Sequence, residues 1–396
     1  MKYAIVIMDG AADEPLAELD GKTILEKAHI PHTDWISTHG RQGMVQTVPN
    51  GMAPGSDVAQ MSIMGYNPKT CYTGRAPLEA VAQDIQTEST DWIFRCNLVT
   101  IADGVMEDYS AGHIESVQAA RLINDLNSQL GSEQITFYPG VSYRHLMVHR
   151  GGPFDHESVP PHDITGQPVN KHLPRGRHGK ELCKIMEKAS AILAEHEVNR
   201  VRKDLGENPA TNIWLWGQGH RPTLDSFRKR YGISAAVITA VDLLRGLGKL
   251  AGMKIIEVEG ATGYLDTNYV GKGIAAIEAL GSNDLILVHI EAPDEAGHGA
   301  LIEEKIEAVE QIDKNIVGPL LNHLRQQENW RMMVLPDHPT PIKIRTHSSQ
   351  PVPFAMAGED ITGTLQLPYS EANGKRSGLH IDKGYELMEY FLKGKG

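Results

Sequence analysis

Cysteine is scarce in this chain: three in 396 residues, Cys71, Cys96 and Cys183, far apart and unpatterned. They make neither a disulfide framework nor a zinc knuckle, and their number points to a reducing cytoplasm. Long apolar runs are missing as well. Stretches such as Ala4–Met8 and Leu285–Val288 fall far short of the ~20 residues that cross a bilayer, so no membrane partner is expected. The first residues do not read as a secretion signal, because Asp9 and Gly10 interrupt the short apolar run after Lys2. Basic charge is in deficit: 38 Lys and Arg against 50 Asp and Glu leave −12, which argues against a nucleic-acid partner. What is present is ordinary globular composition, 41% hydrophobic and 22% charged. The length is too great for one core and implies two or three domains of ~100–200 residues.

Short apolar runs alternate with longer segments of helical period, the pattern of an α/β protein with a mainly parallel sheet. Strands are expected at Tyr3–Met8, Ile213–Trp216, Lys254–Val258, Asp284–Ile290, Arg331–Leu335 and Val352–Ala357. Helices are expected at Ala236–Leu250, Gly273–Leu280, Ile302–Gln326 and near Lys383–Leu392. The third rests on Ile302, Ile306, Val309, Ile312 and Ile316, spaced by three and four. From about Asp91 to Leu205 the elements are shorter and mixed, and Gly151–Gly179 is polar, proline- and histidine-bearing and without period, so it reads as a surface loop. The expected plan is one α/β domain built from residues 1–90 and 206–396, interrupted by a smaller domain at 91–205.

Chemistry-bearing residues follow the expected strands. Asp9 comes directly after the first. Asp294 and His298 follow Asp284–Ile290, Asp337 and His338 follow Arg331–Leu335, and His347 comes nine residues later. In an open parallel sheet the carboxyl ends of the strands form the crevice where ligands sit. One Asp after a strand is more often a turn former or a helix cap. Three Asp and three His delivered to one edge are better explained as metal ligands. Carboxylates and imidazoles without thiolate suit Zn²⁺ or Mn²⁺ and disfavour Mg²⁺. Two ions ~3.5–4 Å apart would use all six and leave positions open for an oxyanion.

Ser56, in Pro54–Ala59 (PGSDVA), opens an expected helix at Asp57–Met64. On its own it reads as a helix cap. Beside a metal cluster it reads as a nucleophile, because the ions lower its proton affinity and a helix N-terminus favours a bound phosphate. Gly271-Lys272-Gly273 matches a loose dinucleotide pattern but has no strand running into it, so no such site is expected. Arg75 lies near the serine in sequence and is a candidate phosphate clamp.

With these residues in view, the chain resembles the archaeal-type 2,3-bisphosphoglycerate-independent phosphoglycerate mutases of the alkaline phosphatase superfamily. The resemblance rests on Ile7–Asp13 (IMDGAAD), Pro54–Ala59, Tyr72–Glu79 (YTGRAPLE), Glu259–Tyr264 (EGATGY), Ala292–His298 (APDEAGH), Asp337-His338 and His347-Ser348. It implies an alkaline-phosphatase-like, mainly parallel sheet flanked by helices, with an inserted smaller α+β cap domain. It also implies a phosphoserine mechanism on two Mn²⁺ or Zn²⁺ ions. By motif, Asp9, Ser56, Asp337 and His338 would hold one ion, and Asp294, His298 and His347 the other. The substrate would be small and phosphorylated, 3-phosphoglycerate being converted to 2-phosphoglycerate in a cytoplasmic monomer or small homo-oligomer. Candidate substrate contacts are Arg75 and, on the cap, Arg95, Asn97, Asp108, His113, Arg144 and His145.

Two features depart from the family pattern. The mutases carry an arginine-rich cap motif where this chain has Asp108–His113 (DYSAGH), and Pro336 and Pro339 flank Asp337-His338 in place of Gly and Ser. Fewer arginines mean fewer bidentate partners for a carboxylate. The alternative acceptor is an amino-acid alcohol, as in the related branch proposed to phosphorylate homoserine.

Overall fold

The computed structural model describes residues 1–152, 154, 157–363 and 365–394. Pro153 and His156 of the polar stretch lie outside the described residues. In chain order the strands are β1 (Lys2–Met8), β2 (Arg41–Val45), β3 (Trp92–Ala102), β4 (Val105–Asp108), β5 (Ile135–Tyr138), β6 (Arg144–His149), β7 (Asn212–Gly219), β8 (Ala235–Ile238), β9 (Lys254–Ile256), β10 (Leu285–Ile290), β11 (Trp330–Leu335), β12 (Val352–Gly358) and β13 (His380–Ile381).

Two compact units form, Met1–Tyr72 with Thr223–Gly396, and Thr73–Pro222. The boundaries differ from the 90/91 and 205/206 read from sequence. The helix Arg75–Ala82 packs its Ala76 and Ala80 on Ile93 of β3, and β7 pairs with β3, so both belong to the inserted unit.

The first unit is an α/β sandwich around one eight-stranded sheet of order β13-β2-β12-β11-β1-β10-β8-β9. β1 pairs in parallel with both β10 and β11, and β10 with β8; β12 runs antiparallel to its neighbours. A central parallel strand is buried on both faces and so is apolar throughout. In β1, Ala4, Val6 and Met8 pack into one core, and Tyr3, Ile5 and Ile7 into the other. The expected parallel-rich sheet flanked by helices is what forms.

One helix expectation needs correction and one gains a detail. Ala236–Leu250 splits into β8 and a helix at Asp242–Leu250, because Ala235–Ile238 is apolar on every side and fills the sheet between β10 and β9. Ile302–Gln326 forms as one continuous helical run, Ile302–Leu324, with a π segment at Asp313–Val317 inside it. Pro319, just after that segment, has no N–H to donate to the ladder. Gly273 is explained by packing: a Cβ there would meet the Asn315 carbonyl at 2.2 Å, so the glycine permits close helix approach.

The second unit is α+β. β3 pairs antiparallel with β4, β6 and β7, and β5 with β6. Phe94, Cys96 and Leu98 of β3 face a core closed by the helices Ser116–Leu130 and Gly179–Glu195. Among its described residues the polar stretch carries short turns at Pro161–Ile164 and Val169–Lys171 and an isolated antiparallel bridge between Glu157 and Arg175. No described helix is long and apolar enough to cross a membrane.

Candidate active site

Three neighbouring strands, β11, β1 and β10, deliver the site at their carboxyl ends. Asp9 follows β1, its N–H donating to the Ile290 carbonyl at 3.0 Å. Asp337 follows β11 by two residues, and its carboxylate is held from several sides. Oδ1 accepts the Gly10 N–H at 3.1 Å and the His338 N–H at 2.8 Å, and Oδ2 accepts from Gln60 Nε2 at 2.9 Å. Thr47 Oγ1 donates to the Asp337 carbonyl at 2.5 Å. Ligand atoms of Asp9, Asp337 and His338, all buried, lie within 4.8 Å of one another. Ser56 is the first residue of the helix Ser56–Ile63, and its Oγ lies 3.2 Å from His338 Nε2.

The second cluster begins where Pro293 starts the helix Ala292–Gly299. Asp294 and His298, four apart, fall on one face of it, with Asp294 Oδ2 at 3.2 Å from His298 Nε2. His347 returns to the site because the Ser348 N–H donates to the Pro339 carbonyl at 2.9 Å, closing the intervening loop. His347 Nε2 lies 2.9 Å from His298 Nε2 and 3.5 Å from Asp294 Oδ1. The two clusters adjoin: the His338 and His347 rings are 4.2 Å apart, and Thr340 Oγ1 donates to Asp294 Oδ1 while lying 3.3 Å from His338 Nδ1.

Electrostatics fit a cation at both places. Burial, then the neighbouring Asp337 and Asp294, push the Asp9 carboxyl well above its usual range. Its Oδ1 is buried with no hydrogen-bond partner, a costly state for an anion unless a cation meets it. Burial also opposes ionisation of Asp294, yet hydrogen bonds from His298 and His347 outweigh it and hold that carboxyl well below the usual range. The same hydrogen bond raises His298 to about 9. Burial lowers His338, favouring the neutral ring that binds metal. These two groups are suited to divalent metal ions.

The remaining residues singled out from sequence lie in the second unit. Asn97 of β3 pairs with Arg144 of β6, and Arg95 points to the same face by strand alternation. Arg95 is held by both carboxylate oxygens of Glu79, at 3.1 and 3.0 Å, and lies 4.5 Å over the Trp216 ring. Arg75 opens the helix Arg75–Ala82. Asp108 and His145 are spent locally. The Asp108 carboxylate accepts from Ser110, Gly112 and Asn208 and folds its own turn. His145 sits opposite Cys96, on the core face. His113 lies edge-on to Tyr143 at 6.0 Å.

Sequence reading missed His289, Thr239, Thr340 and Gln60. A histidine inside the apolar run of β10 reads as core; only its register beside Ile7 shows that it reaches Asp9, 2.8 Å away.

Together these features define an α/β protein with adjoining carboxylate–imidazole groups and a serine at the carboxyl ends of a parallel sheet. Residues 37–199 match the family model described as 2,3-bisphosphoglycerate-independent phosphoglycerate mutase. The chain is 49% identical over 398 aligned positions to the enzyme so named from Methanosarcina barkeri, covering 100% of both chains. A solved structure from Pyrococcus horikoshii superposes with TM-score 0.84 at 26% identity, covering 99% of this chain and 97% of that one. The cofactor-independent phosphoglycerate mutase of Thermoplasma acidophilum does so with TM-score 0.68 at 26% identity, covering 100% of each. The chain belongs to the 2,3-bisphosphoglycerate-independent phosphoglycerate mutase family.

Proposed function

We infer that the protein is a metal-dependent phosphoglycerate mutase that interconverts 3-phosphoglycerate and 2-phosphoglycerate through a phosphoserine at Ser56. The observation that carries this is the Ser56 hydroxyl, 3.2 Å from His338 Nε2 at the head of a helix. Identity of 49% along the whole length to a relative of that name supports glycerate as acceptor over an amino-acid alcohol.

Asp9, Ser56, Asp337 and His338 would hold one divalent ion, and Asp294, His298 and His347 the other; with no thiolate among them, Mn²⁺ or Zn²⁺ suits the set better than Mg²⁺. When bound, such ions lower the proton affinity of a hydroxyl and neutralise phosphoryl charge. The start of the helix Ser56–Ile63 favours the negative phosphoryl group beside Ser56. In the forward direction Ser56 Oγ bonds to phosphorus as the bond to the substrate's C3 oxygen breaks, and the serine proton ends on that oxygen. The C2 hydroxyl oxygen then bonds to phosphorus as the Ser56 Oγ–P bond breaks, and its proton returns to Ser56. No water is consumed, so the phosphoserine must be kept from hydrolysis. Arg75, Arg95, Asn97 and Arg144, all within the Thr73–Pro222 unit, would be the candidate partners for the glycerate carboxylate. The enzyme works in the cytoplasm as a monomer or small homo-oligomer.

The test uses Mn²⁺-loaded protein and couples 2-phosphoglycerate formation to enolase, with homoserine and ATP assayed in parallel. Mutase turnover is expected, with Ser56→Ala abolishing both turnover and labelled phosphoenzyme. Retained turnover in Ser56→Ala would remove the serine from the mechanism, and phosphohomoserine without mutase turnover would replace the acceptor.

A further inference from the structure

Asp9, His289 and Thr239 lie across three adjacent strands. Ile7 of β1 pairs with His289 of β10, so Asp9 projects from the same face just beyond it, and Thr239 follows β8, whose Ile238 pairs with Val288. His289 Nε2 is 2.8 Å from Asp9 Oδ2, and His289 Nδ1 is 3.1 Å from Thr239 Oγ1. All three side chains are buried. Thr239 Oγ1 also accepts the Val241 N–H at 3.0 Å, which leaves its own hydrogen free to be donated.

The protons of this row can be placed by elimination. A metal-ligating Asp9 is ionised and accepts only, so His289 Nε2 must carry a hydrogen to sit 2.8 Å from it. The neutral ring then has a bare Nδ1, which needs a donor, and Thr239 is placed to be one. With Oδ2 occupied, Asp9 is left with Oδ1 bare, 3.6 Å from His338 Nε2.

We propose that Thr239 and His289 are positioning residues: Thr239 fixes His289 as the Nε2–H tautomer, and His289 pins one oxygen of Asp9 so that the other is presented to the metal ion. The proposal rests on the reading of Asp9 as a ligand. The row uses no residue of the inserted unit and no substrate contact, so its effect is on metal affinity ahead of substrate affinity. Outer partners of this kind change metal affinity by about 10–100-fold when removed.

The test combines histidine ¹⁵N NMR of the protein loaded with diamagnetic Zn²⁺ with Mn²⁺ titration of wild type, Thr239→Val and Thr239→Ser. His289→Gln is used only to assign the ring signals. Expected are a protonated Nε2 and bare Nδ1 at His289 in wild type, and two Mn²⁺ sites. Thr239→Val should weaken one of them by about tenfold or more and leave the other unchanged. Thr239→Ser, which restores the hydroxyl, should recover wild-type affinity, and excess Mn²⁺ should recover the kcat of Thr239→Val with KM unchanged. A protonated Nδ1 at His289 overturns the proposal. So does equal Mn²⁺ affinity in wild type and Thr239→Val, or a Thr239→Ser as weak as Thr239→Val. Wild type that takes up no Mn²⁺ overturns the metal reading itself, an outcome distinct from the other three.

Discussion

His298 and His347 meet nitrogen to nitrogen, Nε2 to Nε2 at 2.9 Å, with an Asp294 oxygen within 3.5 Å of each. With His298 raised to about 9, a proton is available to lie between the two nitrogens in the ion-free state, and a divalent cation would take its place. An ion that draws in both nitrogens and the carboxylate binds the folded chain and not the unfolded one, so it stabilises by mass action. Chelation with EDTA should therefore lower the melting temperature and stop turnover, and added Mn²⁺ or Zn²⁺ should restore both. His347→Ala should reduce bound metal from two ions to one, read by elemental analysis of dialysed protein. Full activity in excess EDTA would contradict the metal assignment.

Gly10 is the hinge between Asp9 and the rest of the cluster. Its φ is +63°, in the left-handed region, and a Cβ there would meet Asp294 Oδ1 at 2.5 Å and Asp294 Cα at 2.7 Å. Its N–H also holds Asp337 Oδ1. Gly10→Ala should strain the backbone by about 1–3 kcal/mol and push Asp294 off the geometry shared with His298 and His347. The expected result is a modest fall in melting temperature with a far larger loss of turnover and of metal at the Asp294 site. A Gly10→Ala enzyme with wild-type metal content would remove the steric argument.

Asp13 and Lys305 form an ion pair at 2.7 Å with both side chains fully buried. Lys305 also donates to the Thr340 carbonyl at 2.8 Å, and Asp13 accepts the Ile342 N–H. The pair thus anchors the segment that carries His338 and Thr340. Removing one partner strands a buried charge, at a cost of about 3–5 kcal/mol. Lys305→Met should lose that much stability in urea unfolding, while Asp13→Leu with Lys305→Met should recover a good part of it. If the double variant is no more stable than the single, the cost lies in lost hydrogen bonds to the loop and not in the unpaired carboxylate.

How much of this was legible in the sequence depended on distance along the chain. Asp294 and His298, like Asp9, Asp337 and His338, follow apolar runs whose strand character is plain. Their convergence was inferable because consecutive parallel strands point their carboxyl ends the same way. His289 was not legible: its meaning comes from pairing beside Ile7, about 280 residues away, and a histidine in Leu-Ile-Leu-Val-His-Ile reads as core. Ala236–Ile238 reads as the start of a helix because a fully buried strand has no alternation to distinguish it. In the inserted unit, Asp108 and His145 looked functional by residue type. Their partners, the turn amides for one and the core opposite Cys96 for the other, become visible only with the fold.

His145 then makes a prediction of its own about the Thr73–Pro222 unit. It is buried on the core face of β6, and its Nδ1 accepts the Gly140 N–H at 2.9 Å, so Nε2 carries the hydrogen and has no partner. Burial pushes its pKa down to about 3, against about 6.5 for an unfolded histidine. Between those values the unfolded chain takes up a proton that the folded chain refuses. Stability from this group is therefore whole above pH about 6.5 and is lost as the pH falls toward about 3. Trp214 and Trp216 lie in the same core and report its unfolding by fluorescence. His145→Phe fills the site without a titrating group, so its stability should decline less than that of wild type over this window, although other buried histidines acidify both alike. Parallel declines in the two proteins would show that His145 is reached by solvent or finds a partner when charged, and would remove it as a source of acid lability.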